Sequence, residues 1–237
     1  MSTRRLVVDL RSRTRAFRIP DAVADALVAA TPTGWATHVI AAETDSFGDG
    51  AQRPSEESLR EIVDAEVYLG FGMPKPLFAA ARRLKWIHTG TAGVASLLFP
   101  ELVASDVILT NSLIYGPTIA EHVVAGAMHL LRGLDVAGVL QRRGVWDPEP
   151  FATDATMLRE LCECRVVVVG AGGIGAEVAT RFSALGAEVV GSRRRPSKGT
   201  PAGFSRLFPL AAIEVELPSA DILVLAAPLT DRKSTRL

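Results

Sequence analysis

The stretch that most constrains this chain is Val166-Val167-Val168-Val169, followed at once by Gly170-Ala171-Gly172-Gly173-Ile174-Gly175. Four consecutive β-branched residues predict a central parallel strand buried on both faces, because a half-exposed strand would alternate apolar with polar side chains. The glycines at the first, third and sixth places then predict a tight turn into a helix. Gly170 permits the turn, Gly172 lets the backbone approach a ligand with no Cβ in the way, and Gly175 allows close packing of helix on strand. The free N–H groups and positive dipole end of the helix opened by Gly173 and Ile174 would meet an anion. Inside a βαβ unit this spacing predicts a cradle for the pyrophosphate of a dinucleotide, lined by Gly170, Gly172, Gly173, Ile174 and Gly175. The competing reading is a purely structural turn, and the flanking strand and helix weigh against it.

The next strand is expected at residues 187–191. A pattern selective for NAD places an acidic residue at the end of that strand, where it accepts hydrogen bonds from the ribose hydroxyls. This chain has Ser192-Arg193-Arg194-Arg195 there instead. A guanidinium pairs bidentately with a 2′-phosphate, which a carboxylate would repel. Ser192, Arg193 and Arg194 are therefore candidate cofactor contacts, and NADP(H) is the preferred cofactor with NAD(H) possible. The alternative is that these arginines are solvated surface charges.

Alternation of β and α segments runs through the rest of the chain. Strands are expected at residues 6–10, 67–70, 85–88, 107–110 and 222–225, and helices at 20–30, 76–84 and 176–185, with a further helix starting at Ser55. Residues 45–54, rich in Gly, Asp and Ser, read as a loop. Such alternation predicts the α/β class, with parallel sheets covered by helices on both faces. Thr118-Ile119-Ala120-Glu121 has the spacing of a capping box, in which the Thr hydroxyl and Glu carboxylate satisfy orphan N–H groups. A long helix is expected to follow through Val123, Val124, Ala127, Leu130, Leu131 and Leu134 towards Arg143, ended by Gly144. The domain boundary is expected between Pro100 and Ser112, giving domains 1–105 and 106–230.

Composition narrows the partners. With 48% hydrophobic and 22% charged residues among 237, the chain has the balance of a globular protein. Its formal net charge of +0 provides no global field to draw in nucleic acid or an anionic membrane. The two cysteines, Cys162 and Cys164, are too close for an ordinary disulfide and too few for a structural zinc site, so free thiols in a reducing compartment and no metal site are expected. The start, Met1 to Arg18, is arginine-rich, but its apolar run Leu6-Val7-Val8 is broken by Asp9 and cannot serve as a signal-peptide core, and no apolar run reaches the roughly 18 residues of a membrane helix. The expectation is a soluble, cytoplasmic protein with neither nucleic acid nor membrane as partner. His38, His88 and His129 show no partner in the sequence and are expected to be packed or exposed. Glu121 and His122 are adjacent, but consecutive helical residues point about 100° apart, so a capping role for Glu121 is expected rather than an acid–base pair.

Several separated stretches share one resemblance. They are Leu84-Lys85-Trp86-Ile87 running into Ala92-Gly93-Val94, Thr110-Asn111-Ser112 with Ile119-Ala120-Glu121-His122, the glycine turn, and Ala220-Asp221-Ile222 leading to Ala227-Pro228-Leu229-Thr230. In this order and spacing, over most of the chain from Glu57 onward, the chain resembles the D-isomer-specific 2-hydroxyacid dehydrogenase family, which includes glyoxylate/hydroxypyruvate reductases and phosphoglycerate dehydrogenases. The resemblance implies two doubly wound parallel-sheet domains, a flavodoxin-like substrate domain and then a Rossmann NAD(P)-binding domain, incomplete here. It implies hydride transfer between NAD(P)H and carbon 2 of a small 2-oxo or 2-hydroxy acid. It further implies a backbone cradle for the substrate carboxylate at Ala92, Gly93 and Val94, and a turn at Ala227, Pro228 and Thr230 against the cofactor's ribose and nicotinamide. A homodimer with the long helix after Thr118 at its interface belongs to the same expectation. Ala95 departs from the aspartate usual at that place. In the family the catalytic Arg, Glu and His follow the Pro-Leu-Thr turn, so they are expected beyond Leu237 and the chain as written is expected to be inactive. Residues 231–237 match the translation of a common sequencing-library adapter and are expected to be read-through. Two rivals stand beside this reading: a non-catalytic dinucleotide sensor or corepressor on the same fold, and an alanine-dehydrogenase-like enzyme, against which the Ala92-Gly93-Val94 and Ile119-Ala120-Glu121-His122 stretches count.

Overall fold

A computed structural model describes residues 3–44, 53–153, 158–194 and 199–227. They belong to two compact units, Met1–Ile114 and Tyr115–Leu237.

The first unit is built on five parallel strands, β1 (Arg4–Asp9), β2 (Trp35–Val39), β3 (Val67–Gly70), β4 (Trp86–Thr89) and β5 (Ile108–Asn111), in the order β2-β1-β3-β4-β5. That is the flavodoxin-like order, with the direction of winding reversing at β1. Neighbouring residues of β1 point to opposite faces of the sheet. Val7 accordingly joins a buried cluster with Ile40, Ile62, Tyr68, Met73, Leu77 and Ile87, while Val8 joins another with Leu10 and Phe71. Helices α1 (Asp21–Ala29), α2 (Glu56–Glu61), α3 (Lys75–Ala80) and α4 (Pro100–Val103) connect the strands. Ser55 caps α2 as its sequence position predicts, its hydroxyl accepting the Ser58 amide at 3.0 Å. Helix α3 stops at Ala80, short of the expected residue 84, because Ala81 turns extended to lead into β4.

The second unit holds helices α5 (Gly116–Leu131), α6 (Leu134–Arg142), α7 (Glu149–Ala152), α8 (Gly173–Ala184) and α9 (Ile213–Glu216) and strands β6 (Arg165–Val169), β7 (Glu188–Ser192), β8 (Arg206–Phe208) and β9 (Ile222–Leu225). All pairings are parallel, in the order β8-β7-β6-β9. Numbered within the unit this is 3-2-1-4, the arrangement of a Rossmann sheet. The valine run, β6, is one of the two interior strands and is covered on both faces. Val166 and Val168 pack with Val178 and Phe182 of α8 and Ala120 of α5, and Val167 packs with Val190 and Phe208. Strand β9 forms one edge, where Leu223 and Leu225 are exposed.

Three expectations are corrected. Strand β5 completes the first sheet and the units divide after Ile114, so the boundary lies later than 105/106. The capping box does not form: α5 already starts at Gly116, no side chain caps it, and Glu121 instead pairs with Arg181 at 3.4 Å. Pro117 explains the earlier start, since its fixed φ suits a first helical turn and its missing N–H costs nothing there. The expected single helix is two, α5 and α6, bent by 71°. Gly133 sits between them at φ +60°, a left-handed conformation that ends a helix. Gly144, at φ +66°, closes α6 as expected. Among the described residues no single helix is long and apolar enough to cross a membrane.

Candidate functional site

The glycine turn leaves β6 where the winding of the second sheet reverses, with β7 on one side and β9 on the other. Open α/β sheets bind ligands outside the carboxyl ends of strands at such a switch point. Each glycine has a separate reason to be there. Gly170 has φ +108°, and a Cβ on it would lie 2.7 Å from the backbone of Ala226 and Ala227. A Cβ on Gly175 would lie 2.1 Å from the Gly170 carbonyl oxygen, so only glycine lets α8 pack this close to the turn. Cβ atoms on Gly172 and Gly173 would meet nothing within 4 Å. Packing does not require these two glycines, and the open space beside them is where a ligand backbone would run.

Helix α8 has no side-chain cap. Among the described residues the amides of Gly173 and Ile174 have no acceptor, and they are the orphan donors of the first helical turn. Gly170 and Ala171 are held differently. Their amides donate to the Ser192 carbonyl at 3.2 and 2.8 Å, and the Ser192 hydroxyl accepts from the Gly170 amide at 3.2 Å. Ser192 is buried, so this candidate shapes the turn from the end of β7. No carboxylate ends that strand. Arg193 is half-buried and donates to the Gly199 carbonyl at 3.1 Å, whereas Arg194 is exposed. Ala227 is exposed beside Gly170; Pro228 and Thr230 lie outside the described residues.

In the first unit the loop after β4 carries Ala92, Gly93 and Val94. The Asn111 amide group donates to the Ala92 carbonyl at 2.7 Å, and the Thr91 hydroxyl donates to the Gly93 carbonyl at 2.9 Å. Gly93 is exposed, a Cβ there would meet nothing within 4 Å, and Val94 leans on the core beneath. Among the described residues neither the Gly93 nor the Val94 amide has an acceptor. Two adjacent unsatisfied amides in a loop at the carboxyl end of a parallel sheet suit a carboxylate oxygen. Ala95 begins a single helical turn and is exposed.

Two histidines have partners that the sequence did not show. His38 Nε2 lies 3.0 Å from the Glu57 carboxylate. Partial burial works against the charge on Glu57, but His38 and the amides of Ala42 and Ala41 together hold its pKa below the usual value. His88 bridges the hydroxyls of Thr110, at 2.8 Å, and Ser112, at 3.1 Å. His129 is exposed in the last turn of α5. Asp9, missed by sequence reasoning, is fully buried at the end of β1. One carboxylate oxygen accepts from the hydroxyls of Ser58 and Tyr68, at 2.7 and 3.2 Å, and the other has no partner among the described residues. Burial pushes its pKa up. Cys162 is exposed and Cys164 buried; the Glu160 carboxylate raises the first thiol's pKa and burial the second's, so neither is an activated nucleophile. Among the described residues no three His, Cys, Asp or Glu side chains converge to hold a metal.

Residues 124–236 match the family described as D-isomer specific 2-hydroxyacid dehydrogenase, NAD binding domain. A curated D-2-hydroxyacid dehydrogenase (NAD(+)) of Clostridioides difficile is 31% identical over 151 residues, 62% of this chain and 43% of that protein. The solved structure of a D-isomer specific 2-hydroxyacid dehydrogenase family protein from Aeromonas salmonicida subsp. salmonicida A449 superposes with a TM-score of 0.74 at 25% identity, over 97% of this chain and 65% of that one. A D-isomer specific 2-hydroxyacid dehydrogenase from Xanthobacter autotrophicus Py2, in complex with NADPH and MES, gives 0.68 at 24% identity, over 98% of this chain and 65% of that one. The chain thus spans less than two thirds of each of these proteins. A glycine-rich strand–turn–helix at the switch point of a 3-2-1-4 sheet, preceded by a flavodoxin-like unit, agrees with these matches: residues 124–236, within the second unit, match the NAD-binding domain of the D-isomer-specific 2-hydroxyacid dehydrogenase family.

Proposed function

We propose that this chain serves an NAD(P)-dependent oxidoreductase that transfers a hydride between the nicotinamide and carbon 2 of a small 2-oxo or 2-hydroxy acid. The observation that carries the reading is the pair Gly172 and Gly173: unobstructed, next to unsatisfied helix amides, at the switch point of the sheet. Those amides and the helix dipole would hold the pyrophosphate. The bound nicotinamide would supply or accept the hydride, and the amides of Gly93 and Val94 would hold the carboxylate of the acid. Each contact uses main-chain donors that the fold leaves free.

NADP(H) is the preferred cofactor. The absence of a carboxylate at the end of β7 removes the group that would repel a 2′-phosphate, and exposed Arg194 supplies a guanidinium where that phosphate would lie. The Xanthobacter relative holds NADPH and the Clostridioides relative is named for NAD(+), so the family context is compatible with either. A homodimer is part of the proposal: Leu130, Leu134, Val145 and Trp146, along and after α5, present exposed apolar surface that a second copy would cover. Two free thiols fit residence in the reducing cytoplasm.

Calorimetric titration of the chain with NADPH and with NADH tests the reading. Saturable binding is expected, tighter for NADPH, with the preference reduced in Arg194→Ala. Lack of saturable binding by either dinucleotide would overturn it.

A further inference from the structure

We propose that Thr91 and Asn111 are positioning residues for the carboxylate cradle, aiming the Gly93 and Val94 amides outward by holding the carbonyls behind them. The inference rests on the reading of residues 92–94 as the substrate-carboxylate site.

The argument starts from the peptide unit. In a planar trans peptide the C=O and the N–H of the next residue point in opposite directions. Asn111 draws the Ala92 carbonyl towards itself at 2.7 Å, which turns the Gly93 N–H the other way. Thr91 draws the Gly93 carbonyl at 2.9 Å, which turns the Val94 N–H away in the same manner. Two consecutive peptides are thereby fixed by two side chains, and the two N–H groups they aim are the ones with no acceptor among the described residues.

The anchors are themselves held. Thr91 is 2% exposed and its one hydroxyl proton goes to Gly93, so in its 2.9 Å contact with Thr89 it must accept. Thr89, fully buried, therefore donates to Thr91 and in turn accepts the Thr91 amide at 3.3 Å. The direction Thr89 to Thr91 to Gly93 is fixed by proton count alone. Asn111, the last residue of β5, is the register partner of Thr89, the last residue of β4, so Asn111 and the Thr89 that holds Thr91 stand at adjacent strand ends. Strands hold a geometry more closely than the loop they brace, and a cradle braced in this way would not need to reorganise on binding.

The test is titration of the 15N-labelled chain with oxamate, an unreactive 2-oxo acid analogue, followed by amide NMR. In the wild type the largest saturable shifts should fall on Gly93 and Val94. Thr91→Val, which keeps the shape and removes the donor, and Asn111→Ala should each weaken oxamate binding about fivefold or more, the loss expected for one hydrogen bond. Thr91→Ser, which restores the hydroxyl, should return affinity to within about twofold of wild type, and NADPH affinity should be unchanged in all three. If Thr91→Val does not fold, Asn111→Ala and Thr91→Ser still decide. Wild-type binding with unaltered oxamate affinity in the folded donor-deleted variants overturns the positioning role alone. Absence of saturable shifts at Gly93 and Val94 in the wild type overturns the carboxylate-site reading and this inference with it.

Discussion

Replacing Gly172 and Gly175 separately by alanine should divide ligand binding from stability within one turn of chain. At Gly175 the new Cβ would sit 2.1 Å from the Gly170 carbonyl oxygen and 3.1 Å from its carbon, against an ordinary contact of 3.4 Å or more. The helix start must move by about 1 Å, or the turn must open. Overpacking of this kind costs about 1 to 3 kcal/mol, reversing the roughly 1 kcal/mol by which alanine is normally favoured over glycine in a helix. Gly175→Ala should therefore lower the urea midpoint and weaken NADPH binding. At Gly172 the φ of −97° suits any residue and a Cβ meets nothing, so Gly172→Ala should change stability by less than about 0.5 kcal/mol. It should nonetheless weaken NADPH binding about 10- to 150-fold, the loss of one charge-assisted hydrogen bond of about 1.5 to 3 kcal/mol as the pyrophosphate is pushed away. Calorimetric titration and urea denaturation on the same preparations read both quantities. Gly172→Ala with wild-type stability and wild-type NADPH affinity would refute the placement of the pyrophosphate on this turn.

Three further outcomes are expected. Gly133→Ala forces a left-handed backbone onto an L-residue and brings its Cβ to 2.9 Å from the Phe151 ring, so the urea midpoint should fall by the equivalent of about 1 to 2 kcal/mol; no change would mean that the break between α5 and α6 is not held at Gly133. The Asp221 carboxylate accepts the Arg165 amide at 2.7 Å and pairs with Arg159, which together hold its pKa below the usual carboxylate range. Its contribution is thus fully present above the unfolded pKa of about 3.9 and lost as pH falls through the lower folded value, and Asp221→Asn should flatten that acid limb in stability measured against pH. Asp9 has the opposite sign: burial raises its folded pKa, so wild-type stability should fall as pH rises from the unfolded towards the folded value, and Asp9→Asn should remove that fall. A difference curve between Asp9→Asn and wild type that is level across this interval would rule it out.

Strand β6, the glycine turn and helix α8 are readable because their signals are local. An unbroken valine run and three glycines at fixed spacing leave little else to form. Edge strands were harder. Residues 35–39 and 206–208 form β2 and β8, but an edge strand needs few apolar residues and these segments have no apolar run to reveal them. The break at Gly133 was hidden because apolar spacing continues on both sides and an interior glycine costs only about 1 kcal/mol, too little to mark a helix end by itself. The false capping box shows the converse, a correct local pattern overruled by Pro117 one residue upstream. His38 and His88 seemed unpartnered because Glu57, Thr110 and Ser112 reach them from other elements of the sheet and its helices. Ser192 was placed at the right strand end, yet nothing in the sequence says that its side chain turns back under Gly170.

That backward turn of Ser192 bears on the thermodynamics of association. Because its carbonyl and hydroxyl already tether Gly170 and Ala171, the start of the turn proposed to hold the diphosphate is hydrogen-bonded in place without any ligand. Little chain entropy then remains to be surrendered on complex formation, and the enthalpy of docking the charged group should appear largely uncompensated in calorimetry. Cutting the hydroxyl tether with Ser192→Ala should shift that balance towards a larger entropic penalty, even where the free energy itself scarcely moves.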